Sequence, residues 1–165
     1  MIQPSKQIEN ILSESNEYDC DINLYCAVLS YIPYFKDIKE DDYIKYHKDH
    51  SFEYSPEFYS FIKALNDAKL VEDEEKMASF LKSYNLHCGY NKWIKDMNIV
   101  LENEELLGRA NISLLKKVMF SLIRLERVCP GSWGIDAESG NWLKILNQLK
   151  RILSEIYKEN KSNAN

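Results

Sequence analysis

The chain has 165 residues, of which 45% are hydrophobic and 28% charged, with a formal net charge of -5. That length fits one domain around one core, and that composition excludes disorder as the main state. No apolar run approaches the ~20 residues that cross a bilayer, and MIQPSKQIEN lacks an apolar signal core, so a cytoplasmic protein without a membrane association is expected.

Helical spacing dominates. Ile8, Ile11 and Leu12 give a short amphipathic start, and Ile22, Leu24, Tyr25, Val28, Leu29 and Ile32 mark a second helix ended by the constraint of Pro33. Residues 36–50 are charged and aromatic and read as a loop. Ser55-Pro56-Glu57 is a helix start: Ser accepts from free amides, Pro has no amide to lose, and Glu meets the positive helix end. Phe58, Phe61, Ile62 and Leu65 then share a face. The acids 72–75 precede Met77, Phe80, Leu81 and Tyr84, predicting a further helix that closes before Gly89, and residues 93–107 read as helical.

From Asn111, a cap, the series Leu115, Val118, Met119, Leu122, Leu125 predicts a strong helix that must stop by Pro130. Trp142, Ile145, Leu146, Leu149, Ile152, Leu153 and Ile156 trace the stripe of a last helix. No alternating run demands a sheet. The fold class expected is all-α: a single helical domain of about seven helices over residues 1–158, with a disordered tail at 159–165 and a Gly/Pro-rich corner between the last two long helices.

That corner lies in RLERVCPGSWGIDAESG, residues 124–140. In this reading Pro130 stops one helix, Gly131 and Gly134 supply unusual backbone angles, Trp133 plugs the turn, and Asp136 or Ser139 starts the next helix. The spacing of a phosphate-binding loop is absent.

The segment LLKKVMFSLIRLERVCPGSWGIDAESGNWLKILNQLKRI resembles the carboxy-terminal half of a bacterial domain family of unknown function. The family pattern runs I-R-x-x-R-F-C-x-G, a short gap, S/D-G, then I-L-x-x-L. Arg124, Arg127, Cys129, Gly131, Trp133, Gly140, Ile145, Leu146 and Leu149 fall on it. Upstream, YIPYFKD and FEYSPEFYSFIKALNDAKLV are similar to the family's L-P-Y-F segment and Y-S-P-E helix start, so the resemblance covers residues 24–152. Val128 stands where the family has Phe, and Pro130 where it has an acid. The resemblance implies a domain boundary and a role for the corner, and it carries over no catalytic residue.

Residues 109–151 hold eight Lys/Arg against three acids, so this segment is locally basic within an acidic chain. It faces either this chain's own acids or an acidic partner, and is far from a typical nucleic-acid footprint. On the helix before the corner, Lys117 and Arg124 lie opposite the apolar stripe, with Phe120 and Arg127 on a flank. One reading caps the helix end with Arg127. The other makes Phe120, Arg124 and Arg127 a stacking and anion-binding edge facing the loop 129–140. Cys20, Cys26, Cys88 and Cys129 lack a C-x-x-C pair and read as reduced thiols, Cys129 as a buried one. His47, His50, His87 and Cys88 lack the spacing of a zinc module, and the acids at 72–75 and 102–105 read as solvated faces.

Residues 25–61 hold eleven of the seventeen Tyr and Phe. Several must fill the core, while Tyr43 and Tyr46, in a charged stretch, offer contact area of the type enriched at binding surfaces. The expectation is a non-enzymatic interaction protein whose partner is another protein, without metal or cofactor, contacting it through Phe120, Arg124, Arg127, Trp133, Tyr43 and Tyr46. The alternatives are a small enzyme or ligand-binding protein that takes an anionic substrate through Arg124 and Arg127, and a nucleic-acid-associated protein using residues 109–151. A composition rich in Lys, Asn, Ile and Tyr points to a bacterial or phage genome.

Overall fold

The computed structural model describes residues 3–17, 21–84 and 89–164. In chain order these form α1 (Lys6–Leu12), α2 (Ile22–Leu29), α3 (Ile32–Phe35), α4 (Glu40–Tyr43), β1 (Ile44–Tyr46), β2 (Phe52–Tyr54), α5 (Pro56–Asp67), α6 (Glu74–Lys82), α7 (Gly89–Glu102), α8 (Glu104–Gly108), α9 (Ile112–Leu125), α10 (Ser132–Glu138) and α11 (Asn141–Asn163). The fold is mostly α, with more helical segments than seven and one small sheet.

Most helix starts carry their caps. Ser55 Oγ accepts from the Phe58 amide with Pro56 in the first turn, Asp73 accepts from the Glu75 and Lys76 amides, and Asn111 accepts from the Leu114 amide. Each side-chain oxygen satisfies an amide that the helix leaves without a partner. Asn111 also ties α9 to α1, its Nδ2 donating to Ile11 O at 2.6 Å.

The predicted helix 22–32 divides at Ser30. Pro33 does not end it but lies in the first turn of α3, where its missing amide costs nothing. Residues 36–50, expected as a loop, contain α4 and β1. The antiparallel hairpin pairs Ile44 with Tyr54, Lys45 with Glu53 and Tyr46 with Phe52, and His50 takes a positive φ of 68° in its turn. Three-residue strands are too short for an alternation to show in sequence. The predicted helix 93–107 is α7 and α8, separated at Asn103, whose side chain caps α8 by accepting from the Leu106 amide. α11 buries the expected stripe from Trp142 to Leu153 and continues through Asn163, into the stretch that the sequence reads as a tail.

α9 is the axis of the core. Ile112, Leu114, Leu115, Val118, Met119, Phe120 and Leu122 are all buried, so the helix is enclosed on more than one side. Two charges expected in solvent are enclosed with it. Lys117, expected opposite the apolar stripe, is 7% exposed, and Glu72, expected on a solvated face, is 6% exposed. Lys117 Nζ donates to Glu72 Oε2 at 3.0 Å and to Ser113 Oγ at 3.0 Å, and lies 5.4 Å from the Phe80 ring centroid. Glu72 precedes α6, accepts from the Asp73 amide, and its own amide donates to Lys116 O. A charge can leave water when it is paired and hydrogen-bonded in this way.

The aromatic region closes the other side. Phe35, Phe58 and Phe61 are buried together, with ring centroids of Phe35 and Phe61 4.6 Å apart, and Trp142 of α11 sits 5.3 Å from Phe61. Tyr25, Tyr43 and Tyr54 are buried as well, which leaves Tyr46 and Tyr59 as the exposed rings of residues 25–61.

Candidate functional site

The corner between α9 and α11 is built around one carboxylate that the sequence reading passed over. Glu126 caps the end of α9 and accepts from the Gly131 amide (2.7 Å), the Trp133 amide (2.9 Å), Ser132 Oγ (3.1 Å) and Tyr54 Oη (2.8 and 2.9 Å). The N-cap of α10 is Gly131, at φ 97°, which has no side chain to cap with; Glu126 supplies the missing acceptor from outside the helix. Burial first, and then the hydrogen bond to Glu126 and its charge, push the Tyr54 hydroxyl pKa well above the usual tyrosine range, so Tyr54 stays a donor. The signal in the sequence was a misfit: an acid at the negative end of a helix is unfavourable unless something else holds it.

The corner is therefore a short helix and not a loop. Gly131 has the expected unusual angle, but Gly134 is helical within α10, and its glycine is needed for space: a Cβ there would lie 2.4 Å from Cε2 of Tyr43. The second left-handed glycine is Gly140 (φ 83°), and it, not Asp136 or Ser139, precedes α11. Asp136 is 8% exposed inside α10 and accepts from Asn141 Nδ2 at 2.8 Å.

Desolvation raises the pKa of Asp136, the Asn141 hydrogen bond opposes this, and the Glu126 charge adds to it. A carboxyl raised in the fold stabilises it below its unfolded value and loses that contribution as pH climbs through the folded value. Asp136→Asn keeps an acceptor for Asn141 and removes the charge. It should raise stability near pH 7 and make little difference near pH 3.5, below the unfolded pKa of about 3.9. Urea unfolding at the two pH values measures this.

The six candidate side chains do not form one site. Trp133 stacks on Phe58 (5.9 Å, 13°) and packs 5.2 Å from Tyr54, and its Nε1 donates to Ile123 O, so it holds the corner against the core. Tyr43 is not exposed contact area but a 5% exposed ring laid on Gly134, its hydroxyl pKa raised by burial and then by Glu138. Tyr46 is 60% exposed on the hairpin.

Phe120, Arg124 and Arg127 do come together, and they face α6 in place of the loop 129–140. Spaced four and three residues apart, they follow one side of α9 into the turn beyond it, where the Arg127 amide donates to Arg124 O. The Arg124 guanidinium carbon is 5.7 Å from the centroid of the nearly buried Phe120 ring. The three residues and Glu74 line two depressions. One, of about 530 Å³, is completed by Met77, Ala78, Leu81, Tyr90 and Val128. The other, of about 270 Å³, is completed by Asn66, Val71, Glu72 and Ile123. Together they form a trough crossed by the arginines, with a mostly apolar floor at its larger end.

Among the described residues, neither arginine has an ion pair or a side-chain hydrogen bond, so Arg127 does not cap α9 with its side chain. Most other cations of the basic segment are engaged within the chain. Arg109 meets Glu9, Lys116 and Lys117 meet Glu72, Lys144 donates to Leu101 O, and Arg151 donates to Gly108 O.

The family of unknown function DUF6508 has a family model that matches residues 27–155. The chain belongs to DUF6508. The match takes in the whole trough and the corner of this DUF6508 member, from Asn66 to Asn141. No curated protein and no solved structure matches the chain. The described residues hold no group of three or more His, Cys, Asp or Glu placed for a metal ion; His87, Cys88 and Cys20 lie outside them. Cys129 is a free, exposed thiol and not a buried one. No helix is long and apolar enough to cross a membrane among the described residues.

Proposed function

We propose that this DUF6508 member is a non-enzymatic binding protein of a bacterial or phage cytoplasm that acts through protein–protein contacts at the trough of Phe120, Arg124 and Arg127. The observation that carries the reading is the pair of guanidinium groups that, among the described residues, have no ion pair and stand over an apolar floor. Arginine and aromatic anchors beside apolar surface are the composition of interface centres, and a guanidinium left without a carboxylate is free to meet one from another molecule. The pairing of the surrounding cations within the chain supports the reading over a nucleic-acid contact, which draws on many unpaired cations at once.

The test is affinity capture from the native host with the wild type and an Arg124→Glu/Arg127→Glu variant. Both arginines are exposed, so the variant should keep its helix content. A captured protein should be lost from the variant and, once purified, should bind it at least about tenfold more weakly than wild type. Equal capture by the two removes the trough from the function.

A second reading has its own support. The larger depression, about 530 Å³, falls within the roughly 300–1,000 Å³ of small-molecule sites, and Arg124 and Arg127 suit a carboxylate or phosphate on such a ligand. A rise in Tm with a small anionic metabolite, absent in the charge-reversed variant, would select it.

A further inference from the structure

The charge and shape of the trough narrow its occupant, on the basis of the protein-binding reading above. We infer that the trough receives an acidic amphipathic helix of a partner protein, with its apolar face on Leu81, Ala78 and Val128 above the Phe120 ring and its carboxylates on Arg124 and Arg127. The floor comes from α6 and α9: Met77 and Phe120 are buried beneath it, Leu81 is half-buried and Ala78 is exposed, and Leu81, Ala78 and Val128 form an open apolar strip. Val128, which also lines the larger depression, is a large apolar side chain left 72% exposed.

Charge sets the sign of the occupant. Glu72, the acid at the smaller end, is neutralised by Lys117 at 3.0 Å and Lys116 at 3.9 Å. The charges left over are Arg124, Arg127 and Glu74, a net positive edge, and Glu74 forms no ion pair with either arginine. Carboxylates are therefore favoured over the arginines and disfavoured beside Glu74, which fixes an orientation as well as a sign.

Geometry sets the form. Both depressions share Phe120, Arg124, Arg127 and Glu74, so an occupant that fills them passes over the arginines and is elongated. Arg124 and Arg127 are separated by one helical turn, and acids three or four residues apart on a partner helix present the matching pair. This is the helix-in-groove mode, in which apolar anchors at one-turn intervals enter a hydrophobic channel.

The test is fluorescence anisotropy with three labelled peptides of equal length: a Leu/Glu helix with its acids along one flank, the same pattern with Lys for Glu, and a Leu/Glu scramble without a face. The Leu/Glu helix should bind, weaken as salt rises, and lose at least about tenfold in affinity in Arg124→Glu/Arg127→Glu. Ala78→Tyr, which fills the trough from an exposed helical position, should weaken it similarly with an unchanged circular dichroism spectrum. Equal binding of the Lys and Glu helices, binding untouched by either variant, or no binding tighter than about 1 mM overturns the inference. A host protein captured in an arginine-dependent way while the Leu/Glu helix fails to bind would overturn this inference alone and leave the proposed function standing. Failure of capture with the peptide results intact would overturn the function.

Discussion

Glu126→Ala is expected to destabilise the protein by about 3 kcal/mol, a fall in Tm of roughly 6–12 °C for a chain of this length. The carboxylate accepts from two backbone amides and two hydroxyls at once, and its removal leaves the start of α10 without a cap and the hydroxyl of the buried Tyr54 without its acceptor. Hydrogen bonds to a charged acceptor are the stronger kind, and donors left unsatisfied in a partly buried corner bear the desolvation cost. Glu126→Gln keeps one acceptor oxygen and should lose about half as much. Thermal unfolding followed by circular dichroism measures both. An alanine variant that melts with the wild type would show that the corner is held by Trp133 and its aromatic neighbours alone.

The second large effect is at the buried ion pair. Lys117→Met leaves the Glu72 carboxylate enclosed with Lys116 3.9 Å away as its remaining cation, and should cost about 3–5 kcal/mol. Removing both charges, Glu72→Leu with Lys117→Met, should recover most of that loss, because the cost lies in an unpaired charge more than in the missing attraction. Urea unfolding of the two single variants and the double closes the cycle. If Lys117→Met unfolds at the wild-type midpoint, Glu72 is far better solvated than its exposure implies.

These two residues show where sequence reading stops. Local chemistry was legible wherever its partners lie within a few residues: Ser55 and Pro56 start α5, Asn111 caps α9, and the stripe from Trp142 to Leu153 faces the core as its period requires. Lys117 and Glu72 are 45 residues apart, and periodicity, which treats each charge as solvent-bound, placed both outside. Glu126 was missed for a related reason. Its amide partners follow within seven residues, but they gain their meaning only once Gly131 turns back over the helix end.

The candidate site was legible by halves. The spacing of Phe120, Arg124 and Arg127 placed them on one edge of a helix, and the structure brings them together there. What they face was not legible, since which helix lies alongside α9 is a tertiary matter, and Met77, Ala78 and Leu81 of α6 supply the wall in place of the corner. Tyr43 and Trp133 were drawn into the site by residue type. A tyrosine in a charged stretch has the composition of an interface, but the absence of a side chain at Gly134 gives that ring a slot in the core.

The claim that the trough is a protein-binding face is tested most directly by site-specific photo-crosslinking in the native host. A photoreactive residue replaces Ala78, in the trough, or Tyr157, exposed on α11 and outside it. A discrete protein adduct should form from position 78, be absent from position 157, and disappear when Arg124→Glu/Arg127→Glu is added. The same adducts from both positions, or none from position 78, would contradict it.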